Sequence, residues 1–178
     1  MYGMIYVTIK DYAEAAYGDA AWQEITSLID RNISFTATDQ PYSEENIYYL
    51  AGIVAKQTGD DINKVLYGFG YRTPETIVEK YPEVMASRGD SLQEYLVNLP
   101  AFHNRMSLIY PQLKAPEFRI IAVTENSIEI EYQYKLEEIL PYVLGYLAGL
   151  SQHFKKDSKV TAVPEKSTRR TLVFNVSW

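Results

Sequence analysis

The chain has 178 residues, 47% of them hydrophobic and 22% charged, which fits a single globular domain with a sizeable core. No apolar run approaches the roughly 20 residues a membrane helix needs, and a net charge of −6 without a basic stripe argues against nucleic acid as a partner. Cysteine is absent, which removes disulfides, thiolate zinc, iron–sulfur clusters and any thiol nucleophile, and two histidines are too few for a multi-His metal site.

The first half has helical periodicity. MYGMIYVTIKDYAEAAYG carries Ile5, Ile9, Tyr12 and Ala16 on one stripe and ends at Gly18. Its start lacks a basic segment followed by an apolar one, so no signal peptide is expected and the cytoplasm is the default location. Asp19 begins a second helix with Trp22, Ile25 and Leu28 as its face, and Ser43-Glu44-Glu45-Asn46 starts a third. A fourth begins at Asp60 or Asp61 and is expected to stop at Gly68 and Gly70. Thr73-Pro74-Glu75 is then expected to start another, with Thr at the cap and Pro at the first helical position. Ser91, with Glu94 three residues on, forms a capping box for LQEYLVNLPAFHNRMSLIY.

The second half changes period. FRIIAV and NSIEIEYQY read as a hairpin joined at Thr124-Glu125-Asn126, with Ile128, Ile130 and Tyr132 on one face. An apolar helix follows over LEEILPYVLGYLAGLSQHF, and two strands close the chain around a polar turn. The expected fold is α+β: an N-terminal helical subdomain, then an antiparallel sheet with one helix inserted. Arg169-Arg170 and Lys155-Lys156 read as solvated turn residues. Glu137-Glu138 and Asp60-Asp61 are adjacent pairs that diverge on a helix, and no nucleophile elbow or phosphate loop is present, so an enzyme is not expected.

Leu92, Tyr95, Leu96, Leu99, His103, Met106 and Tyr110 recur at steps of three or four, which places His103 on the apolar stripe of its helix. Two readings fit an inward imidazole. One is a core histidine bonded to a tyrosine hydroxyl or a carbonyl. The other is an axial metal ligand whose second nitrogen is fixed by a neighbour. His153, in the last turn of its helix, reads more simply as a cation at the negative end of the helix dipole.

In order and spacing, Met1-Tyr2-Gly3, Leu96-x-x-Leu99-x-x-x-His103, Lys114-Ala115-Pro116-Glu117-Phe118, the strand through Tyr132 and Leu144-Gly145-Tyr146-Leu147-Ala148-Gly149 resemble the haem nitric oxide/oxygen binding (H-NOX) domain family. That family is related to the haem domain of soluble guanylate cyclase. The resemblance covers nearly the whole of 1–178 as one sensor domain, with a helical part over about 1–60 and a haem-cradling part over about 61–178. It implies haem b (iron protoporphyrin IX) with His103 as the proximal iron ligand and Pro116 as the haem-contacting proline. It further implies nitric oxide or oxygen as the sensed gas, and a separate histidine kinase or diguanylate cyclase as the protein partner.

The same resemblance locates the departures. The family's propionate-binding motif, Y-x-S-x-R, is matched here by Tyr132-Gln133-Tyr134-Lys135-Leu136. Tyr132 is kept, Tyr134 replaces the serine and Leu136 replaces the arginine. Arginine grips a carboxylate with two parallel charge-assisted bonds, and leucine offers none. Lys135 is the substitute within reach, exposed propionates are a second solution, and loss of haem with retention of the fold is a third. Tyr142 aligns with a position that donates a hydrogen bond to bound oxygen in some family members. Ile5, Ile9 and Ile77 would form an apolar distal wall or plain helix-packing core.

Overall fold

The computed structural model describes residues 3–37, 40–41, 43–113 and 117–178. Its helices are α1 (Met4–Tyr17), α2 (Asp19–Ser27), α3 (Glu44–Thr58), α4 (Ile62–Lys80), the short α5 (Pro82–Ala86), α6 (Leu92–Ile109) and α7 (Leu140–His153). The strands β1 (Glu117–Val123), β2 (Ser127–Gln133), β3 (Lys159–Ala162) and β4 (Thr171–Ser177) form one antiparallel sheet in the order β1-β2-β4-β3. The chain is therefore α+β, with α7 inserted between the first and second pairs of strands.

Local chemistry sets most boundaries. Gly18 takes φ +86°, which lets the chain turn between α1 and α2. The Ser43 hydroxyl accepts from the Asn46 N–H at 3.2 Å to start α3, and Asp61 accepts from Asn63 and Lys64 to start α4. At α6 the Ser91 hydroxyl accepts from the Glu94 N–H, but the Glu94 carboxylate reaches back to the N–H of Asp90, one residue beyond the capping-box position.

The largest departure from the sequence reading is α4. It runs unbroken from Ile62 to Lys80 through Gly68, Gly70 and Pro74. Pro74 cannot donate to the carbonyl four residues back, a defect that costs about 3 kcal/mol in an isolated helix. Tertiary packing overrides it, because α7 crosses α4 at backbone distance. A Cβ on Gly70 would collide with the Tyr142 carbonyl, one on Gly145 with that of Tyr67, and one on Gly149 with that of Tyr71. These glycines mark a helix crossing, not a helix end.

In β2, Ile128, Ile130 and Tyr132 face inward and are almost fully buried, as their alternation implies. They pair with Val176, Phe174 and Leu172 of β4. One continuous core joins this sheet face to Tyr6 and Ile9 of α1, Leu50 of α3, Phe69 of α4 and Leu147 of α7. No described helix is long and apolar enough to cross a membrane.

Candidate functional site

The stripe on α6 is rotated from its expected direction. Leu92, Tyr95, Leu96, Leu99, Phe102 and Met106 are the buried residues, Tyr110 is exposed, and His103 is half-buried. The cause is Arg88, which is only 3% exposed and lies in the loop before α6. Its guanidinium sits 3.7 Å from the Phe102 ring centroid, and its Nη1 donates to the Tyr95 hydroxyl at 2.7 Å. Tyr95 in turn meets the Tyr146 hydroxyl at 3.0 Å, and burial raises the pKa of both phenols. With Phe102 drawn inward by this cation, His103 is turned onto the wall of a cleft.

That cleft has a volume of about 1380 Å³ and lies between α6, the β1–β2 hairpin and the segment entering α3. His103, Pro100 and Phe118 form an apolar side, and Glu44, Arg119 and Lys135 contribute to a polar one. The Phe118 ring lies 5.6 Å from the His103 ring and 5.0 Å from that of Tyr132, so the three rings form a row. The acidic groups outnumber the basic ones on the polar side. Glu45 and Glu117 also face the cleft, and Arg119 is paired with Glu131 at 2.9 Å. The Ser43 hydroxyl donates to Glu45 and holds its carboxyl below the usual range.

Behind the cleft wall a buried carboxylate is held by three donors. Glu44, 4% exposed, is the first residue of α3. Its Oε1 accepts from the Tyr132 hydroxyl at 2.6 Å, and its Oε2 accepts from the N–H groups of Lys135 and Leu136, both at 2.8 Å. The sequence reading had Glu44 only as part of a helix start. A helix N-terminus accounts for an acidic residue without any partner, so nothing local pointed to Tyr132, 88 residues away.

The candidate residues thus fall into separate groups. His103 and Lys135 line the cleft, and Tyr132 is buried behind it, bonded to Glu44 of the cleft wall. Tyr134 points elsewhere, donating to the Arg169 carbonyl at 2.9 Å and so tying β2 to the turn before β4. Tyr142, Ile9 and Ile77 are buried in the core, and Ile5 packs against it partly buried. The Tyr142 hydroxyl lies 3.3 Å from that of Thr73, and burial pushes its pKa up to about 12. Pro116, with Lys114 and Ala115 beside it and Met1 and Tyr2 at the start, lies outside the described residues.

A profile of haem-NO-binding domains matches residues 2–162. The chain belongs to the haem-NO-binding (H-NOX) family. Domains of this family are haem-based gas-sensing modules related to soluble guanylate cyclase. Among relatives, soluble guanylate cyclase 89Da of Drosophila melanogaster is 23% identical over 155 residues, and soluble guanylate cyclase gcy-31 of Caenorhabditis elegans is 24% identical over 153. The matches cover 86% and 85% of this chain, but it spans only 23% and 22% of the length of those cyclases. A double variant of the Tt H-NOX domain superimposes with a TM-score of 0.84 at 22% identity, covering 100% of this chain and 95% of that one. An oxygen-binding H-NOX domain, solved as its oxygen complex, superimposes with a TM-score of 0.76 at 22% identity, covering 99% and 94%.

The H-NOX cleft fits haem at one end and differs at the other. A half-buried imidazole beside an aromatic ring, on the wall of a cleft of this volume, is suitable donor chemistry for a porphyrin iron. Among the described residues no cluster of three His, Asp or Glu could hold a bare metal ion instead. At the carboxylate end the hydroxyl of Tyr132 is engaged by Glu44, and Leu136 contributes only its backbone N–H.

Proposed function

We propose that this chain is a haem-based sensor of a diatomic gas, with His103 as the protein ligand to the iron of haem b. The observation that carries the reading is the placement of His103. It sits on the cleft wall beside Phe118, while its neighbour Phe102 takes the core position. When bound, haem supplies an iron with an open position for the gas. Pro100 and Phe118 would pack on the porphyrin face, and Lys135 is the cation available to a propionate. Pro116, two residues before Phe118 in sequence, is the further contact that family membership suggests.

Nitric oxide is the gas we favour over oxygen. Stabilising bound oxygen calls for a hydrogen-bond donor directed at it, and the Tyr142 hydroxyl is instead directed at Thr73. Ile5, Ile9 and Ile77, which lie in or against the core and do not line the cleft, then act as helix-packing residues. Output passes to a separate signalling protein in the cytoplasm, a histidine kinase or a diguanylate cyclase, which must bind the two states of the domain with different affinity.

Absorption spectroscopy of protein expressed with a haem supply tests this. A Soret band that shifts with nitric oxide and is lost or altered in His103→Ala is expected. Well-folded protein without a Soret band would overturn the proposal in favour of a second reading, a haem-free binding module on the H-NOX scaffold. What favours that second reading is Glu44 in place of an external carboxylate.

A further inference from the structure

We propose that the Tyr132 hydroxyl and the N–H groups of Lys135 and Leu136 form a carboxylate-binding seat that this chain fills with its own Glu44, and that an external carboxylate enters only by displacing it. Three donors converge on the two oxygens of one carboxylate, at 2.6, 2.8 and 2.8 Å. Two of them are main-chain groups, which remain whatever side chain follows Tyr132.

No lysine or arginine forms an ion pair with Glu44 among the described residues, so hydrogen bonds and the N-terminus of α3 hold this buried carboxyl group. Another carboxyl group in the same place would make the same three bonds, so the exchange is close to one for one. A cationic group could not replace it, and a neutral acceptor would bind more weakly, because charge-assisted hydrogen bonds are the stronger ones. The seat also adjoins a place for a ligand, since both Glu44 and Lys135 line the His103 cleft.

Displacement leaves the surrounding structure anchored. The cap of α3 is made by Ser43 to Asn46, not by Glu44, so the Glu44 side chain can swing out with the helix start intact. The substitution of Leu136 for the family's arginine acquires a purpose in this light. An arginine there would grip an external carboxylate permanently, whereas a leucine N–H leaves it in competition with Glu44.

The seat stands without the haem reading; that the incoming carboxylate is a haem propionate rests on it. The test uses the full chain, free of haem, as wild type, Glu44→Ala and the double variant Glu44→Ala/Tyr132→Phe. Sodium acetate is compared with sodium chloride at equal ionic strength, and each protein is then titrated with haemin. Acetate should raise the Tm of Glu44→Ala by about 2–4 °C, leave wild type unmoved, and do less for the double variant. Haemin should bind Glu44→Ala about tenfold more tightly than wild type, the gain expected if Glu44 fills the seat in about nine molecules of ten.

Absence of acetate rescue overturns the seat, and haemin bound through His103 in the same experiment leaves the haem reading standing. Rescue by acetate with no haemin bound by any of the proteins upholds the seat and overturns the haem reading. Rescue with equal haemin affinity in wild type and Glu44→Ala upholds the seat and assigns it to a small carboxylate ligand instead of haem. Should Glu44→Ala fail to fold, the isosteric Glu44→Gln replaces it. Its neutral amide is the weaker competitor, and haemin binding no tighter than to wild type would then overturn the proposal.

Discussion

Gly145 of α7 lies directly against the backbone carbonyl of Tyr67 in α4, with no room between them for a methyl group. Gly145→Ala must therefore push two helices apart along a contact shared with Gly70 and Gly149. Overpacking of this kind costs roughly 1–3 kcal/mol, and backbone neighbours place it at the upper end. Gly52, inside α3, is the matched control. A Cβ there would meet only the Ile62 Cδ1 at 3.9 Å. Gly52→Ala should add about 0.5–1 kcal/mol by helix propensity. Urea unfolding of the two variants, with midpoints moving in opposite directions, checks both.

Among the described residues Arg88 has no carboxylate partner, and it contacts α6 through Phe102 and Tyr95. Arg88→Ala removes the cation over Phe102 and the hydrogen bond to Tyr95, and leaves a cavity, so a loss of about 3 kcal/mol is expected. Arg88→Met should lose less. It keeps much of the buried volume and removes the cost of a desolvated charge. Chemical denaturation should rank wild type above Arg88→Met and Arg88→Met above Arg88→Ala. The reverse order of the two variants would deny the ring contact its role.

Alkaline pH should unfold this protein through its buried phenols. Burial raises the pKa of Tyr142 to about 12, and Tyr95 and Tyr146 are raised as well. Above pH 10 the unfolded chain releases these protons and the folded one keeps them, so the folded state binds more protons and stability falls as pH rises. For Tyr142 alone the loss between pH 10 and 12 is roughly 2 kcal/mol. Tyr142→Phe should be less stable or equal at pH 8 and lose less between pH 10 and 12. Denaturation midpoints across that window, with tyrosinate absorbance as a second signal, provide the measurement.

His103→Ala should leave the haem-free protein within about 1 kcal/mol of wild type, because the ring is half-buried on a cleft wall and not in the core. Phe102→Ala, one residue earlier, should cost about 3–5 kcal/mol. Thermal melts without haem separate the two. A large loss for His103→Ala would make the imidazole a structural element of the core.

What was legible in the sequence was whatever depends on near neighbours. The alternation Ile128, Ile130, Tyr132 sufficed for β2, and Ser43 and Ser91 sufficed for two helix starts. Gly68, Gly70 and Pro74 misled, since locally they are breakers; Gly70 and Pro74 lie against α7, some 70 residues later, and Gly68 lies against the Tyr12 ring of α1. The α6 stripe was found but misdirected. Phe102 and His103 differ by about 100° around the axis, and the residue that selects between them, Arg88, lies on the preceding loop. Glu44 was invisible as a partner because its three donors come from the far half of the chain.

The walls of the His103 cleft are drawn from residues as far apart as Pro41 and Lys135, and the strand that carries Glu131 and Gln133 is itself held in register by β4, at residues 171–177. During synthesis the imidazole therefore emerges long before the enclosure it belongs to. Strand β2 has only one of its two sheet neighbours until residues 171–177 are available. A ligand that needs the finished wall of this cleft accordingly waits for residues 171–177 to join the sheet.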